Sequence, residues 1–348
     1  MKYMNQFRRR AVIFAYNPYN TGMYSVDLAA FRLFESFGIR VDYFLPFSIT
    51  LSSTIQYGQI FVKILSSPTE LEKYDDIIIW GDFTTTPFYV FNDFINHYYN
   101  CAGKISRKQA LAYWCEIYLL SRIRKGKKRF FSICQNFSLI KHTSKIMDED
   151  LYKKLLLRFD LIIPRDSSSF NELSDFLNED ASPIRKFTVD ASFFNEPIKK
   201  PMKDKNHKKK KRVGCFFGRS DFENISELSD ALENSNFEVR FFRNWLYCPP
   251  NTYQEFFLKN IWEIATCDFI ISDTYHFIIN SIRENIPTLA LVCKNVEQET
   301  TLSDKKKVVL MEDLFLSQFL VEFESNKLSE KKIRTIIKNL KMIESKPQ

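Results

Sequence analysis

The sequence predicts an α/β protein built from two doubly wound domains, and three observations point there. The chain has 348 residues, more than one hydrophobic core ordinarily serves and enough for two domains of about 150 residues each. Short apolar runs alternate with longer amphipathic stretches, the pattern of buried parallel strands connected by helices. That alternation stops at a lysine-rich segment and then starts again.

In the first half the strand candidates are 11–16 (AVIFAY), 41–45 (VDYFL), 76–80 (DIIIW), 129–134 (RFFSIC) and 160–164 (DLIIP). Helical patterns fall between and around them, at about 22–37, 87–99, 107–124, 145–157 and 166–178. In the second half 213–218, 237–242, 268–272 and 288–293 read as strands, with helices at about 225–235, 253–266 and 274–285. A charged stretch at 328–345 reads as a last surface helix able to pack back on the first domain. The expected organisation is an N-terminal Rossmann-like domain over 1–196 and a linker over 197–212. A C-terminal Rossmann-like domain comes next over 213–327, with a helical tail over 328–348. Ligands of such sheets bind outside the carboxyl ends of the strands, so the interdomain cleft is the expected site.

Composition excludes several classes. With 45% hydrophobic and 26% charged residues the chain is not globally disordered. No apolar run approaches the roughly 18 residues of a membrane helix, and the apolar segment 11–16 is too short for a signal-peptide core. A cytoplasmic protein is the expectation. The seven cysteines form no CxxC pair and the four histidines no HExxH, so reduced thiols and no metal site are expected. The eight glycines give neither GxGxxG nor a P-loop, so any phosphate must be held by other means.

The net charge of +8 equals that of the segment Lys199–Arg212 alone, which holds nine Lys/Arg and one Asp; the remainder is neutral. This segment reads as a solvated, self-repelling linker. Attraction to anionic lipid headgroups is the alternative, and no nucleic-acid module accompanies the charge. A second basic run, Arg122–Arg129, reads as a solvated turn.

The stretch richest in chemistry is 267–295. A buried strand ends at Ser272-Asp273 and a helix begins near Thr274, with His276, Asn280 and Arg283 at i, i+4 and i+7 on one stripe. A helix N-terminus after a strand's carboxyl end favours an anion. A histidine in that first turn can bind phosphate or act as general acid or base. Lys294, after the next strand, offers a second cation. The competing reading is a capped structural histidine and a solvated arginine.

These residues, taken with others along the chain, resemble the polysaccharide pyruvyl transferase family. Tyr19-Asn20-Thr21-Gly22 looks like the family's Asn-x-Gly turn into the first helix. Ile77–Trp80 with Gly81-Asp82 is similar to its strand and glycine-rich turn, and Cys134-Gln135-Asn136 to its GQ-type strand end. Its Arg-Asp-x-x-Ser signature is present as Arg165-Asp166-Ser167-Ser168-Ser169, and a later Asp-x-x-Phe as Asp190-Ala191-Ser192-Phe193. Ser272, His276, Pro287 and Lys294 match the family's Ser-x-x-x-His element with its later Pro and Lys. Three positions depart from the pattern: Met23 and Thr274 stand where many members carry Asp and Arg, and the glycine cluster after Trp80 is reduced to Gly81.

The resemblance implies a glycosyltransferase-B-type fold, with the first domain on the acceptor side and the second on the donor side. It implies phosphoenolpyruvate as co-substrate, no cofactor or metal, and a sugar hydroxyl pair of a capsule, exopolysaccharide or lipopolysaccharide glycan as acceptor. That acceptor is polymeric or undecaprenyl-linked. Peripheral association with an anionic membrane at its cytoplasmic face is compatible with this, and nucleic acid is not a partner. His276, Arg165 and Asp166 are then the catalytic candidates. Asn20, Gly22, Asp82, Gln135, Asp190, Ser272, Asn280, Arg283 and Lys294 are the substrate-binding ones. For Arg165-Asp166 the alternative is a salt-bridged helix start with Asp166 as N-cap. Two other functions stay open: a glycosyltransferase of the same fold taking a nucleotide sugar, and a non-catalytic family member.

Overall fold

The computed structural model describes residues 8–15, 20–46, 54–57, 60–82, 84–90, 94–96, 98, 106–138, 140, 143, 146–178, 183–198, 210–249, 252–294, 302–324 and 327–344. The chain divides into two units, Met1–Pro18 with Ser25–Phe194, and Tyr19–Tyr24 with Asn195–Gln348. The second unit thus begins at Asn195, and the short segment that opens the first helix belongs with it.

In the first unit β1 (Arg10–Ile13) leads to α1 (Thr21–Ser36) and β2 (Asp42–Leu45). Then come β3 (Thr54–Tyr57), β4 (Ile60–Ile64) and β5 (Asp76–Asp82), followed by α2 (Arg107–Tyr118), β6 (Arg129–Gln135), α3 (Glu149–Leu156), β7 (Leu161–Pro164) and α4 (Ser167–Leu177). The sheet order is β3-β4-β2-β1-β5-β6-β7. Every neighbouring pair is parallel except β3 on β4. The strand order reverses between β1 and β5, the switch point of a doubly wound sheet.

Local chemistry explains the helix starts. Ser106 and Gln109 close a reciprocal capping box on α2, and Asp148 caps α3, each satisfying N–H groups that a helix leaves orphaned. Ile77, Ile79, Trp114, Tyr118, Leu156 and Leu173 are buried in the core between sheet and helices. The sequence pattern does not anticipate β3 and β4: in β4, Ile60 and Val62 are buried while Phe61 and Lys63 are exposed. A strand with one wet face lacks the continuous apolar run that marks a central parallel strand. In β6 the register against β7 slips between Ile133 and Gln135, and Cys134 takes φ +57° there, the geometry of a bulge.

At the amino end of β5, Asp76 is 2% exposed. It accepts from Arg8 Nε and Nη2 at 3.0 and 2.7 Å and from Arg129 Nε and Nη2 at 2.8 and 2.9 Å. A buried carboxylate is tolerable because it is paired this completely.

The second unit runs β8 (Lys211–Phe216), α5 (Ile225–Asn234), β9 (Phe237–Phe241), α6 (Tyr253–Ala265), β10 (Phe269–Ser272) and α7 (Tyr275–Arg283). It continues with β11 (Thr288–Cys293), α8 (Leu302–Asp313), β12 (Leu320–Phe323) and α9 (Glu330–Glu344). All five strands are parallel in the order β12-β11-β10-β8-β9. Counted within the unit this is the flavodoxin-like 2-1-3-4-5 order, with its switch point between β8 and β10. The sequence did not reveal α8, whose charged and apolar residues form no clear stripe, nor the short β12. The last helix, expected to be free to pack on the first domain, is part of this unit's core: Ile333, Ile336 and Leu340 of α9 are buried with Leu289, Leu291 and Val321. Lys211 and Arg212 belong to β8 rather than to a linker. Arg212 pairs with Glu238 at 2.9 Å, and residues 199–209 of the basic segment lie outside the described residues. Among the described residues no helix is long and apolar enough to cross a membrane.

Candidate functional site

The carboxyl end of β10 carries a dense polar construction. The Ser272 hydroxyl donates to the Phe216 carbonyl at 2.7 Å and accepts from Thr274 N at 3.1 Å. Asp273 accepts from the backbone N–H groups of Gly218 at 2.9 Å and Arg219 at 3.1 Å, and the Thr274 hydroxyl donates to it at 2.8 Å. The loops after β8 and β10 are thereby tied together, and α7 starts from that knot at a defined angle.

His276 is the second residue of α7 and is half-buried. Its ring lies against the backbone of Gly22: a Cβ on residue 22 would stand 2.5 Å from His276 Cβ, 2.7 Å from Cγ and 2.9 Å from Cδ2. Only glycine permits this approach. Gly22 is held there by Asn20, whose Oδ1 accepts from Gly22 N at 2.9 Å and Met23 N at 3.4 Å and so caps α1. Tyr24 anchors the same turn, stacking on Tyr253 and meeting Phe257 edge-on, with ring centroids 6.2 and 5.4 Å apart. Asn20, Gly22 and His276, read from opposite ends of the sequence, form one cluster.

Other expected residues serve differently. Asn280 is buried and its amide donates to the His276 carbonyl at 2.7 Å, which stiffens the turn bearing the imidazole. Arg283, expected to neutralise a bound anion, is 6% exposed and donates to buried Glu284 through Nε at 3.1 Å and Nη2 at 2.5 Å. Its guanidinium also lies 5.7 Å from the Phe257 ring centroid. Adjacent opposite charges buried together cancel, so this cation is spent internally. Lys294 is likewise engaged, with Glu322 at 2.6 Å on the surface. The buried cation beside β10 is one the sequence did not single out: Lys307 of α8, 1% exposed. It donates to the carbonyls of Asp273 at 2.7 Å and Leu291 at 2.8 Å and pairs with Asp304 at 2.6 Å. Within the run LSDKKKVV nothing distinguishes it from a solvated lysine.

In the first unit the candidates gather at the carboxyl ends of β5, β6 and β7. Gln135 is a clamp: its side-chain oxygen accepts from the Thr84 hydroxyl at 3.0 Å, Thr85 N at 3.1 Å and the Thr85 hydroxyl at 3.2 Å, while its amide donates to the Gly81 carbonyl. Gly81 has φ +71° and a Cβ there would run into Val26 Cγ1, so the turn after Trp80 needs glycine twice over. Asp82 closes β5 opposite Gln135; its side chain lies outside the described residues.

Arg165 is 1% exposed and sits between two carboxylates, Nε to Asp166 at 3.3 Å and Nη1 to Asp190 at 3.6 Å. Asp166 caps α4 by accepting Ser169 N at 2.7 Å, and Asp190 accepts Ser192 N at 2.9 Å. The signature Arg-Asp-x-x-Ser is thus a buried, ion-paired fastening of β7 to α4, which suits positioning better than contact with substrate. Burial pushes the neighbouring Cys134 thiol up, further raised by Asp190 and only partly offset by Arg165, which disfavours the thiolate a nucleophile needs. Among the described residues no three His, Cys, Asp or Glu side chains are placed to hold a metal.

What this construction offers chemically is a half-buried imidazole at the start of a helix, set against an immovable glycine backbone at a sheet's switch side. Several solved structures align with nearly the whole chain. A Listeria monocytogenes protein described as a putative UDP-N-acetylglucosamine 2-epimerase is 11% identical with TM-score 0.50, over 97% of this chain and 88% of that one. The UDP-GlcNAc 2-epimerase of Neisseria meningitidis bound to UDP-GlcNAc is 11% identical with TM-score 0.48, over 97% and 92%. The E. coli ADP-heptose lps heptosyltransferase II is 10% identical with TM-score 0.42, over 96% and 98%. At 11% identity the Listeria likeness speaks for fold alone, and the chain's own two parallel sheets have the arrangement of two Rossmann-like domains of glycosyltransferase-B type. No curated protein matches the sequence. The family model for polysaccharide pyruvyl transferase matches residues 28–295, most of the chain and all of the β10–α7 element. This chain belongs to the polysaccharide pyruvyl transferase family, and is with it a transferase.

Proposed function

We propose that the chain transfers pyruvate from phosphoenolpyruvate to a pair of hydroxyls on one sugar of a surface polysaccharide or its lipid-linked precursor, closing a cyclic ketal. The observation that supports this reading best is the seating of the His276 imidazole against Gly22 at the start of α7. A proton donor is fixed there beside helix N–H groups that favour an anion.

The chemistry balances without a cofactor. A proton adds to the methylene carbon of phosphoenolpyruvate and makes C2 electrophilic. One sugar oxygen bonds to C2 and gives up its proton. The bond from C2 to the phosphate oxygen breaks, and phosphate leaves. The second sugar oxygen then bonds to C2 and loses its proton, so that of the two hydroxyl hydrogens one ends in the new methyl group and one on phosphate. In this reading His276 moves the proton, Gly22 backs its ring, Asn280 stiffens the turn that bears it, and Arg165 with Asp166 and Asp190 fixes the β7–α4 turn.

Purified protein melted with phosphoenolpyruvate, UDP, GDP and CMP tests the donor, because a ligand that binds only the native state raises its melting temperature. Stabilisation by phosphoenolpyruvate that is lost in His276→Gln supports the reading. Stabilisation by a nucleotide alone turns the assignment to a nucleotide-sugar glycosyltransferase.

A further inference from the structure

Ligands of open α/β sheets bind outside the carboxyl ends of the strands where the strand order reverses. Consecutive backbone N–H groups of the loop leaving the strand hold phosphate there. In the second unit that place lies between β8 and β10, and two consecutive N–H groups of its loop are already taken. Gly218 N donates to one oxygen of Asp273 at 2.9 Å and Arg219 N to the other at 3.1 Å, so a single carboxylate grips both neighbours. The Thr274 hydroxyl adds a third donor at 2.8 Å, and Asp273 is fully buried. The loop cannot relax outward through a larger residue, since a Cβ at Gly218 would stand 2.8 Å from the Phe216 ring and 2.9 Å from Thr274 Oγ1. Nor does the nearest buried cation turn the carboxylate into part of an ion pair. Lys307 bonds the Asp273 carbonyl oxygen, 2.7 Å away, and gives its charge to Asp304.

We infer that Asp273 is a specificity residue, a built-in anion that occupies the phosphate position of the second unit's switch point and excludes the diphosphate of a nucleotide sugar from the β8 loop. The inference deepens the pyruvyl-transfer reading, on which it rests for the identity of the donor, by saying why a fold that suits nucleotide sugars would decline them. A monoanionic carboxylate held by two N–H groups and a hydroxyl is a strong, charge-assisted arrangement, and a phosphate arriving at the same loop meets like charge in place of free donors.

The test titrates the full chain with UDP, inorganic phosphate and phosphoenolpyruvate and follows its melting temperature. UDP is expected to leave the wild type unchanged, and phosphate, the product of the proposed reaction, to stabilise it only weakly. Asp273→Gly is expected to gain saturable stabilisation by phosphate, at least tenfold tighter than the wild type. Asp221→Asn, which removes an exposed carboxylate from the same loop, is expected to gain none. Stabilisation of the wild type by UDP overturns the inference, and so does a folded Asp273→Gly variant without the gain or an equal gain in Asp221→Asn. Should Asp273→Gly fail to fold, the wild-type UDP titration decides alone. Phosphoenolpyruvate is read separately: its failure to stabilise the wild type removes the proposed donor and leaves the exclusion of UDP standing.

Discussion

The backbone of Gly22 and the imidazole of His276 are in direct contact, so close that a β-carbon on residue 22 would stand 2.5 Å from His276 Cβ. The contacted atom is the root of the histidine side chain, which cannot swing away as a flexible tip would. Gly22→Ala must therefore push α7 or tilt the imidazole. We expect a loss of about 1–3 kcal/mol in urea unfolding from this overpacking, together with a fall in transferase activity larger than that of a distant variant of equal stability.

His276 is half-buried, and glutamine keeps the Cβ and Cγ that lie against Gly22. His276→Gln should leave the melting temperature nearly unchanged and lower kcat by roughly 100- to 10,000-fold, the usual worth of a positioned acid or base. Activity within a few-fold of wild type would remove His276 from the proton-transfer step.

Asp76 couples stability to pH. Burial pushes its carboxyl upward, but the Arg129 and Arg8 hydrogen bonds and charges outweigh that and hold it below the ordinary 3.8. A carboxyl depressed in the folded state contributes stability that is complete above its unfolded pKa and is lost as pH falls through the folded one. Asp76→Asn should cost about 1.5–3 kcal/mol at neutral pH and flatten the acid limb of the stability profile, measured by denaturant titration from neutral pH downward.

Lys307 ties the ends of β10 and β11 to α8 from a buried position. Lys307→Met keeps its volume and removes its charge, stranding Asp304 and two carbonyls. The expected loss is about 3–5 kcal/mol. Lys294→Met, which breaks only an exposed pair, should cost less than about 1 kcal/mol. Equal effects in the two, measured by urea unfolding, would contradict the distinction drawn between them.

The elements legible in the sequence are those whose burial is uniform. The strand seen in DIIIW sits mid-sheet with both faces covered, and β10 with α7 announces itself by an apolar run that turns into an i, i+4, i+7 stripe. What escaped was set by tertiary contact. β4 alternates because one face is wet, and α8 has no single apolar face to betray it. The polar stripe is legible as a stripe, but its chemistry is not: Arg283 and Glu284 are sequence neighbours, and nothing local says that both are buried on each other. Lys294 stands at a motif position and is a surface pair, whereas Lys307, unmarked within a lysine run, is the buried one. Asp166 is legible as a cap because Ser169 stands at the spacing a cap requires.

The slip in β6 at Cys134 has a consequence for how this strand tolerates change. Side chains on a strand alternate faces with a period of two, and one extra residue shifts every later one by half a period. Cys134 and Gln135 are accordingly both buried in succession, and the carboxamide arrives on the side where Thr84, Thr85 and Gly81 wait for it. Deleting one residue between Arg129 and Ile133 with the slip at Cys134 kept would swing Gln135 to the far face. The turn after Trp80 would then lose its grip although no residue in it had changed. Substitutions in β6 are a matter of size and polarity; insertions and deletions there are a matter of parity.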